Sequence, residues 1–159
     1  MKTIYLFLSL TLLSLSSIET NVTNPFVGIW EYQEGNTIFR VELYMTDDDL
    51  RGHYEKVEVG ANGLEILIFK SNRDVGHGLT LGPVIYGDNT STILNGGIED
   101  VTIETQPNLP IFTGKLKMEI ISSSPTTATW KVTLNGEGRS QDDNREFSIP
   151  TDVIMTKVE

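Results

Sequence analysis

Apolar and polar side chains alternate along most of the chain after Asn24. In the segment 37–45, every second residue is apolar and falls on one face: Phe39, Val41, Leu43 and Met45. The same period of two runs through 115–121 and 127–134. It is the period of a half-buried antiparallel strand, because successive side chains of a strand point to opposite faces. No stretch keeps apolar residues at helical spacing for three turns, so the pattern predicts an all-β protein.

Turn-forming residues separate these segments at the distances found in hairpins. Clusters of Gly, Asn, Asp, Ser and Pro fall at 34–36, 46–49, 60–63, 122–125 and 135–138. The two patterns together predict strands at 28–33, 37–45, 51–59, 64–70, 79–86, 98–105, 111–121, 127–134, 145–149 and 152–158. Sequential strands joined by short loops favour a meander, which closes most easily as an antiparallel up-and-down β-barrel of about 8–10 strands. A two-sheet β-sandwich is the alternative.

Two segments depart from the alternation. The first, 64–69, is apolar on both faces over its second half, which is typical of a central or covered strand. The second, 71–97, holds six of the 14 glycines, together with Pro83 and the polar run 88–92. It is interpreted either as a mobile loop at the mouth of a barrel or as a bulged edge hairpin with its turns. Loop statistics favour the hairpin.

The first residues have the three-part layout of a secretory signal peptide. Lys2 gives a positive start, an apolar run covers 4–13, and small residues follow at 14–17. This run is shorter than the stretch of about 20 apolar residues that spans a membrane. We therefore expect a cleaved signal peptide over 1–17 and a single β-barrel domain over 18–159. The mature protein would be secreted or periplasmic, without a transmembrane segment.

Charge and cysteine content limit the kinds of partner and site that the chain can have. The chain has 12 basic and 22 acidic residues, a net charge of -10, which argues against a nucleic-acid partner and against an anionic membrane surface. It has no Cys, which excludes disulfides, thiol catalysis and Cys-based metal sites. A length of 159 residues favours one domain, and we expect a monomer.

The tripeptide Gly28-Ile29-Trp30 lies on the first predicted strand. It resembles the Gly-x-Trp start of the calycins, the superfamily of lipocalins and fatty-acid-binding proteins. The resemblance implies a barrel whose closed end is plugged by Trp30, with Gly28 letting the backbone pass close by. An Arg on the last strand covers the Trp in that superfamily, and Lys157 is the only basic candidate nearby in this chain. A second motif of the Thr-Asp-Tyr type and a pair of lid helices are missing from the sequence.

Nearly the whole chain also resembles a family of secreted proteins of the Bacteroidota type that is known only as a domain of unknown function. The matching parts are the signal peptide, the segment 27–32 with Asn36-Thr37 in the following turn, and the closing segment 149–157. This resemblance implies export and a β-fold. It brings no activity with it.

Motifs of known catalytic chemistry are missing from the sequence. The segment 138–142 ends in Asp where a nucleophile elbow needs Gly. His53 and His77 are too few for a zinc enzyme, which usually takes three protein ligands, and they are interpreted as a strand-face and a loop histidine. The acidic runs 47–49 and 142–144 lack the spacing of a calcium loop and are interpreted as turns. We therefore predict no catalytic residue, no metal site and no cofactor.

The aromatic residues, which occur on most predicted strands, are the remaining lead. If the sheet closes, some of them must point inward and line either a solid core or an apolar cavity. The candidate ligand-binding residues are the side chains predicted to face the interior: Trp30, Phe39, Val41, Leu43, Tyr54 and Trp130.

Three functions follow as hypotheses. The preferred one is an exported, non-enzymatic barrel that binds a small apolar or amphipathic molecule. The alternative is a structural or protein-interaction module of the cell envelope with a solid core. The least favoured is a hydrolase whose carboxylates converge at the barrel mouth, in the way that glycosidases use two acids.

Overall fold

The computed structural model describes residues 24–47, 49–102, 112–135 and 145–159. The predicted signal peptide lies outside these ranges. The described part contains eleven strands and no helix: β1 (Gly28–Glu34), β2 (Thr37–Thr46), β3 (Asp49–Val59), β4 (Glu65–Lys70), β5 (Asp74–Gly76), β6 (Leu79–Thr80), β7 (Ile85–Asn89), β8 (Ile93–Glu99), β9 (Thr113–Ile121), β10 (Ser124–Leu134) and β11 (Asp152–Lys157). Accordingly, no helix in this part is long and apolar enough to cross a membrane.

Eight of these strands form a closed ring. Each pairs antiparallel with its neighbour in the order β1, β2, β3, β7, β8, β9, β10 and β11, and β11 returns to β1. β4 pairs with the second half of β3, Glu55–Val59, and lies outside the ring. β5 and β6 form a separate hairpin. The predicted all-β, antiparallel up-and-down barrel is confirmed, and the sandwich alternative is not adopted.

The ring closes where the first and last strands meet. Trp30 lies opposite Lys157 and Glu31 opposite Thr156. The Ile29 N–H donates to the Glu159 carbonyl at 2.6 Å, so the chain end extends the seam. Gly28 has a φ of 130°, and a Cβ at this position would collide with the Glu159 carbonyl oxygen. The close passage of backbone that the calycin resemblance implies at Gly28 is therefore present.

The interior is built from the alternating apolar positions. Phe39, Val41 and Leu43 are buried on the inner face of β2, whereas Met45, at the end of the strand, is exposed. On β9 and β10 the inward residues are buried in the same way: Leu116, Met118, Ala128, Trp130 and Val132. These side chains belong to one hydrophobic cluster that forms the core of the barrel. The predicted faces of these three strands are thus correct.

Three predicted strands are placed differently. Of the strand expected at 98–105, Ile98 and Glu99 end β8, which begins earlier, at Ile93, and residues 103–105 lie outside the described ranges. The strand expected at 79–86 is interrupted around Pro83, which has no backbone N–H to donate to a sheet. No strand occurs at 145–149, although Phe147 and Ile149 alternate and pack on the core. The backbone N–H of Ser148, which a strand would give to a neighbour, is donated to the Asp100 carboxylate instead.

The prediction that 64–69 is central or covered is wrong. β4 is the last strand of its sheet, and within the described residues it pairs only with β3. Ile66, Leu67 and Ile68 are 60%, 51% and 52% exposed. The apolar character of both faces therefore has another cause than burial inside this barrel.

The glycine-rich segment 71–97 has two parts. Its first part is the hairpin β5–β6, with an irregular register between Asp74 and Gly76. The bulged hairpin of the favoured interpretation is therefore present, but it forms a separate two-stranded sheet and not an edge of the barrel sheet. Its second part supplies the barrel strands β7 and β8, where Gly87 lies opposite Gly96. A Cβ on Gly87 would lie 2.5 Å from the Asn95 carbonyl oxygen, so these glycines let two strands approach closely.

Candidate functional site

All six residues predicted to bind a ligand point into the barrel. Trp30, Val41 and Trp130 are completely buried, and Phe39, Leu43 and Tyr54 are nearly so. All six belong to the same core cluster, although they come from four strands. The barrel interior therefore brings together the side chains that the sequence pattern selected, but not all of them line one cavity.

A cavity of about 670 Å³ opens at one end of the barrel. This end is marked by the β1–β2 turn, where Glu34 lies opposite Thr37. Phe39 and Tyr54 are the two predicted residues that line the cavity, and the other four lie outside its lining. Its volume is within the range of about 300–1,000 Å³ that is usual for small-molecule sites.

The remaining walls come from side chains that the sequence analysis did not select. The apolar contributors among them are Tyr32, Ile68, Phe69, Ile149, Pro150 and Val153. Several belong to segments whose position depends on register and on loops: Phe69 follows the bulge in β4, and Ile149 lies in the non-strand segment before β11. The alternation of residues within one strand therefore does not predict that these side chains line the cavity.

Aromatic contacts hold the cavity floor in place. The rings of Phe39 and Tyr54 lie 5.5 Å apart between centroids, and Tyr54 stacks on Phe69 at 6.0 Å. Phe39 also meets Trp130 edge-on at 5.9 Å. The Trp130 indole N–H donates to the Pro150 carbonyl at 2.9 Å, which fixes one wall to the floor. Such a floor is preformed, so a ligand would meet ordered apolar surface rather than a gap that has to be assembled.

A buried carboxylate lies beside the cavity. Asp100 is 1% exposed and accepts the Ser148 backbone N–H at 2.7 Å and the Thr102 hydroxyl at 2.5 Å. The Tyr54 hydroxyl lies 3.3 Å from the same carboxylate and accepts the Val101 N–H at 3.0 Å. Burial, and then the charge of Asp100, raise the pKa of Tyr54. This cluster fastens the segment around Ser148 to the end of β8.

The rim of the cavity is charged. Lys56, Glu34 and Asp152 all line it, and Lys56 lies opposite both Phe39 on β2 and Phe69 on β4. Lys56 is exposed, so a cationic side chain is available at the border between the apolar walls and water. The opening combines an apolar interior with ionic groups at the edge, which suits a molecule that has both kinds of surface.

Converging carboxylates lie elsewhere, on the outer face of the barrel. The Arg40 guanidinium bonds to Glu31 and Glu55 at 2.6 Å each and to Glu65 at 2.9 Å. These contacts, with that to Glu65 first, raise the pKa of Arg40, and Arg40 in turn lowers the pKa of Glu65. A groove of about 390 Å³ runs past this cluster. The ion pairs join β1, β2, β3 and β4, which is a structural role for these acids.

The two histidines belong to different elements of the fold. His53 lies on β3 and packs on Tyr44, with ring centroids 5.9 Å apart, and burial lowers its pKa. His77 occupies the β5–β6 turn with a φ of 58°. No group of three His, Cys, Asp or Glu side chains in the described ranges could hold a metal ion.

The opposite end of the barrel is filled. The Trp30 indole N–H donates to the Phe26 carbonyl at 2.8 Å, and both side chains are completely buried. The ammonium nitrogen of Lys157 lies 5.7 Å from the centroid of the Trp30 ring. Lys157, the basic candidate noted in the sequence, thus covers the Trp side chain from the last strand.

Comparisons with known proteins give no relative from which a function could be transferred. No family model, no curated protein and no solved structure matches the chain.

Proposed function

We propose that the protein is an exported, non-enzymatic barrel that binds a small apolar or amphipathic molecule at the end lined by Phe39 and Tyr54. The observation that carries this proposal is the cavity of about 670 Å³ at that end, with aromatic walls and an ordered floor. The calycin resemblance of Gly28-Ile29-Trp30 points in the same direction. The compartment rests on the predicted signal peptide alone.

Removal of apolar ligand surface from water would drive binding. Each Å² of such surface contributes about 25 cal/mol before the costs of association are subtracted. The charged rim adds selectivity, because Lys56 lies where the head group of an amphipathic molecule would emerge. This arrangement favours an orientation in which the apolar tail of the ligand points towards Phe39 and Tyr54 and its polar group lies near Lys56.

The filled half of the barrel is the observation that favours the alternative, an envelope module without a ligand. Phe26, Trp30 and Val41 are completely buried there. The two hypotheses differ in one measurable respect: the module would take up no apolar probe.

The test is uptake of an apolar fluorescent probe. Nile red and the anionic probe anilinonaphthalene sulfonate would be titrated into the purified protein and into a Thr37→Trp variant. Thr37 lies on the inner face of β2 and lines the cavity, so an indole there would occupy ligand space. We expect this variant to bind both probes roughly tenfold more weakly.

Thr129→Trp is the matched control, because Thr129 is exposed on β10 and does not line the cavity. The proposal fails if the unmodified protein binds neither probe, or if Thr37→Trp and Thr129→Trp bind them equally. If the probes bind as expected, native mass spectrometry of the protein from its own host would identify a retained molecule by its mass.

A further inference from the structure

The exposed apolar side chains of the described part are concentrated on one short segment. Eleven large hydrophobic residues are exposed, and four of them fall within five consecutive positions: Leu64, Ile66, Leu67 and Ile68. They occupy β4 and the residue before it. Natural edge strands usually carry charges, Pro or a covering loop, because a bare apolar edge pairs with other chains. A continuous exposed run of this kind marks an interaction surface.

β4 also offers a free hydrogen-bonding edge. The Ser71 N–H donates to the Tyr54 carbonyl, and the Leu64 carbonyl accepts from the Gly60 N–H, so both residues direct backbone groups towards β3. Successive residues of a strand alternate in this direction. The neighbouring Lys70 and Glu65 therefore direct theirs away from β3, to the side where no described strand pairs with β4.

The bulge in β4 is what allows both ends of the strand to face the free edge. Glu65 and Lys70 are five positions apart, so in a regular strand they would face opposite edges. The register between β3 and β4 shifts by one residue between Lys56 and Val57. This shift restores the same orientation at both ends.

The strand is complementary to itself when it is paired antiparallel. The sequence Glu-Ile-Leu-Ile-Phe-Lys, set against a second copy, places Glu65 opposite the partner's Lys70 and leaves four apolar residues between the two charged pairs. Lys70 lies opposite Glu55 on β3, and both Glu55 and Glu65 bond to Arg40. Glu65 and Lys70 thus share the outer side of the sheet, so the opposite charges of the two copies would meet.

The excess negative charge around Arg40 favours this additional cation. Three carboxylates surround one guanidinium, which gives a local net charge of -2. Lys70 makes no ion pair within the described residues. A second copy would bring one lysine to each cluster and take none away from an existing pair.

We infer that β4 is a self-association strand: two copies pair through antiparallel β4 strands about a twofold axis, with Glu65 of each copy opposite the partner's Lys70. Such an interface is isologous, because the same surface is used on both sides. It joins the two sheets into one and covers the apolar run. The proposal differs from the monomer that the sequence led us to expect.

The test is sedimentation velocity of the purified protein over a wide range of concentrations. We expect a reversible dimer for the unmodified protein, and at least roughly tenfold weaker association for Leu67→Lys and for Lys70→Glu. Ile154→Lys is the control for the first, because Leu67 and Ile154 are both 51% exposed. Lys115→Glu is the control for the second, because Lys115 is an exposed strand lysine without an ion pair in the described part.

A crosslink gives a second measurement that does not depend on these substitutions being tolerated. The chain has no Cys, so a single introduced thiol reports one position only. Leu67→Cys lies next to the proposed twofold axis and should form a covalent dimer on mild oxidation, whereas Ile154→Cys should not. The inference is overturned by an unmodified protein that stays monomeric, by a dimer that survives either β4 substitution, or by equal crosslinking at both positions.

Discussion

The ammonium nitrogen of Lys157 lies 5.7 Å from the centre of the Trp30 ring, directly across the seam that closes the barrel. The same nitrogen donates to the Pro25 carbonyl at 3.1 Å. One side chain therefore connects the segment before β1, the first strand and the last strand. Since only two residue pairs make up the ladder between β1 and β11, this contact matters more than its position near the chain end suggests.

We predict that Lys157→Met lowers the free energy of unfolding by about 1–2 kcal/mol, because it removes a cation–π contact and a hydrogen bond but keeps the aliphatic packing. Lys157→Arg should lose less. Lys131→Met, which removes an exposed lysine with a 3.5 Å ion pair, should cost at most about 0.5 kcal/mol. Urea denaturation of the four proteins measures the differences. Equal losses for Lys157→Met and Lys131→Met would contradict the role of the seam contact.

The strand faces of this barrel could be predicted because one face of each strand is buried and the other is wet. Phe39, Val41 and Leu43 alternate with Ile38, Arg40 and Glu42, and their direction follows from that alternation alone. The prediction for β4 was wrong because it also rested on the hydrophobic pattern alone. Apolar residues on both faces of a strand indicate that both faces are covered. The pattern does not show whether the covering surface belongs to the same chain.

The cavity could be predicted only in part. Phe39 and Tyr54 were found because they lie on strongly alternating strands. Tyr32 and Ile149 join them through the pairing of β1 with β2 and through the path of the segment before β11. Asp100 gave no signal at all, because its main partner, Ser148, is 48 positions away in the sequence. Contacts at that separation depend on closure of the ring.

Asp100 should be among the most sensitive positions of the chain. Asp100→Ala leaves the Ser148 N–H and the groups of Thr102 without their acceptor, so we expect a loss of about 2–4 kcal/mol in the free energy of unfolding. Asp100→Asn keeps the shape and one acceptor oxygen and should lose roughly half as much. Asp88→Ala, an exposed aspartate on β7, is the control and should be nearly neutral. Thermal unfolding with matched denaturant curves would show whether the three substitutions rank in this order.

Alkaline pH should weaken the fold through Tyr54. Burial, and then the charge of Asp100, raise the pKa of Tyr54 in the folded protein above its ordinary value of 10.0. Above pH 10.0 the unfolded chain therefore loses a proton that the folded protein keeps. Stability must fall as the pH rises further, by up to about 1.4 kcal/mol per pH unit for this one group.

Tyr54→Phe removes this contribution and should flatten the alkaline limb of the stability curve, at a cost of about 1 kcal/mol near neutral pH for the lost hydrogen bonds. Tyr44→Phe is the comparison, because partial burial and then Glu42 raise the pKa of Tyr44 as well, on the outer side of the barrel. If the slope above pH 10.0 is the same in Tyr54→Phe as in the unmodified protein, the buried hydroxyl is not its source.

The close approach of β7 and β8 gives the last prediction. A Cβ on Gly96 would collide with the Tyr86 carbonyl oxygen, and its other near neighbour is the Cα of Gly87 at 2.8 Å. Both obstacles are backbone atoms, which cannot rotate aside as a flexible side chain could. We expect Gly96→Ala to destabilise the barrel by about 3 kcal/mol or more, because the two strands must separate and lose pairing. Gly82→Ala, where nothing lies within 4 Å of the new methyl group, should change the free energy of unfolding by less than about 0.5 kcal/mol. Urea denaturation would measure both, and hydrogen exchange would locate the loss in β7 and β8. Full protection of these strands in Gly96→Ala would contradict the explanation.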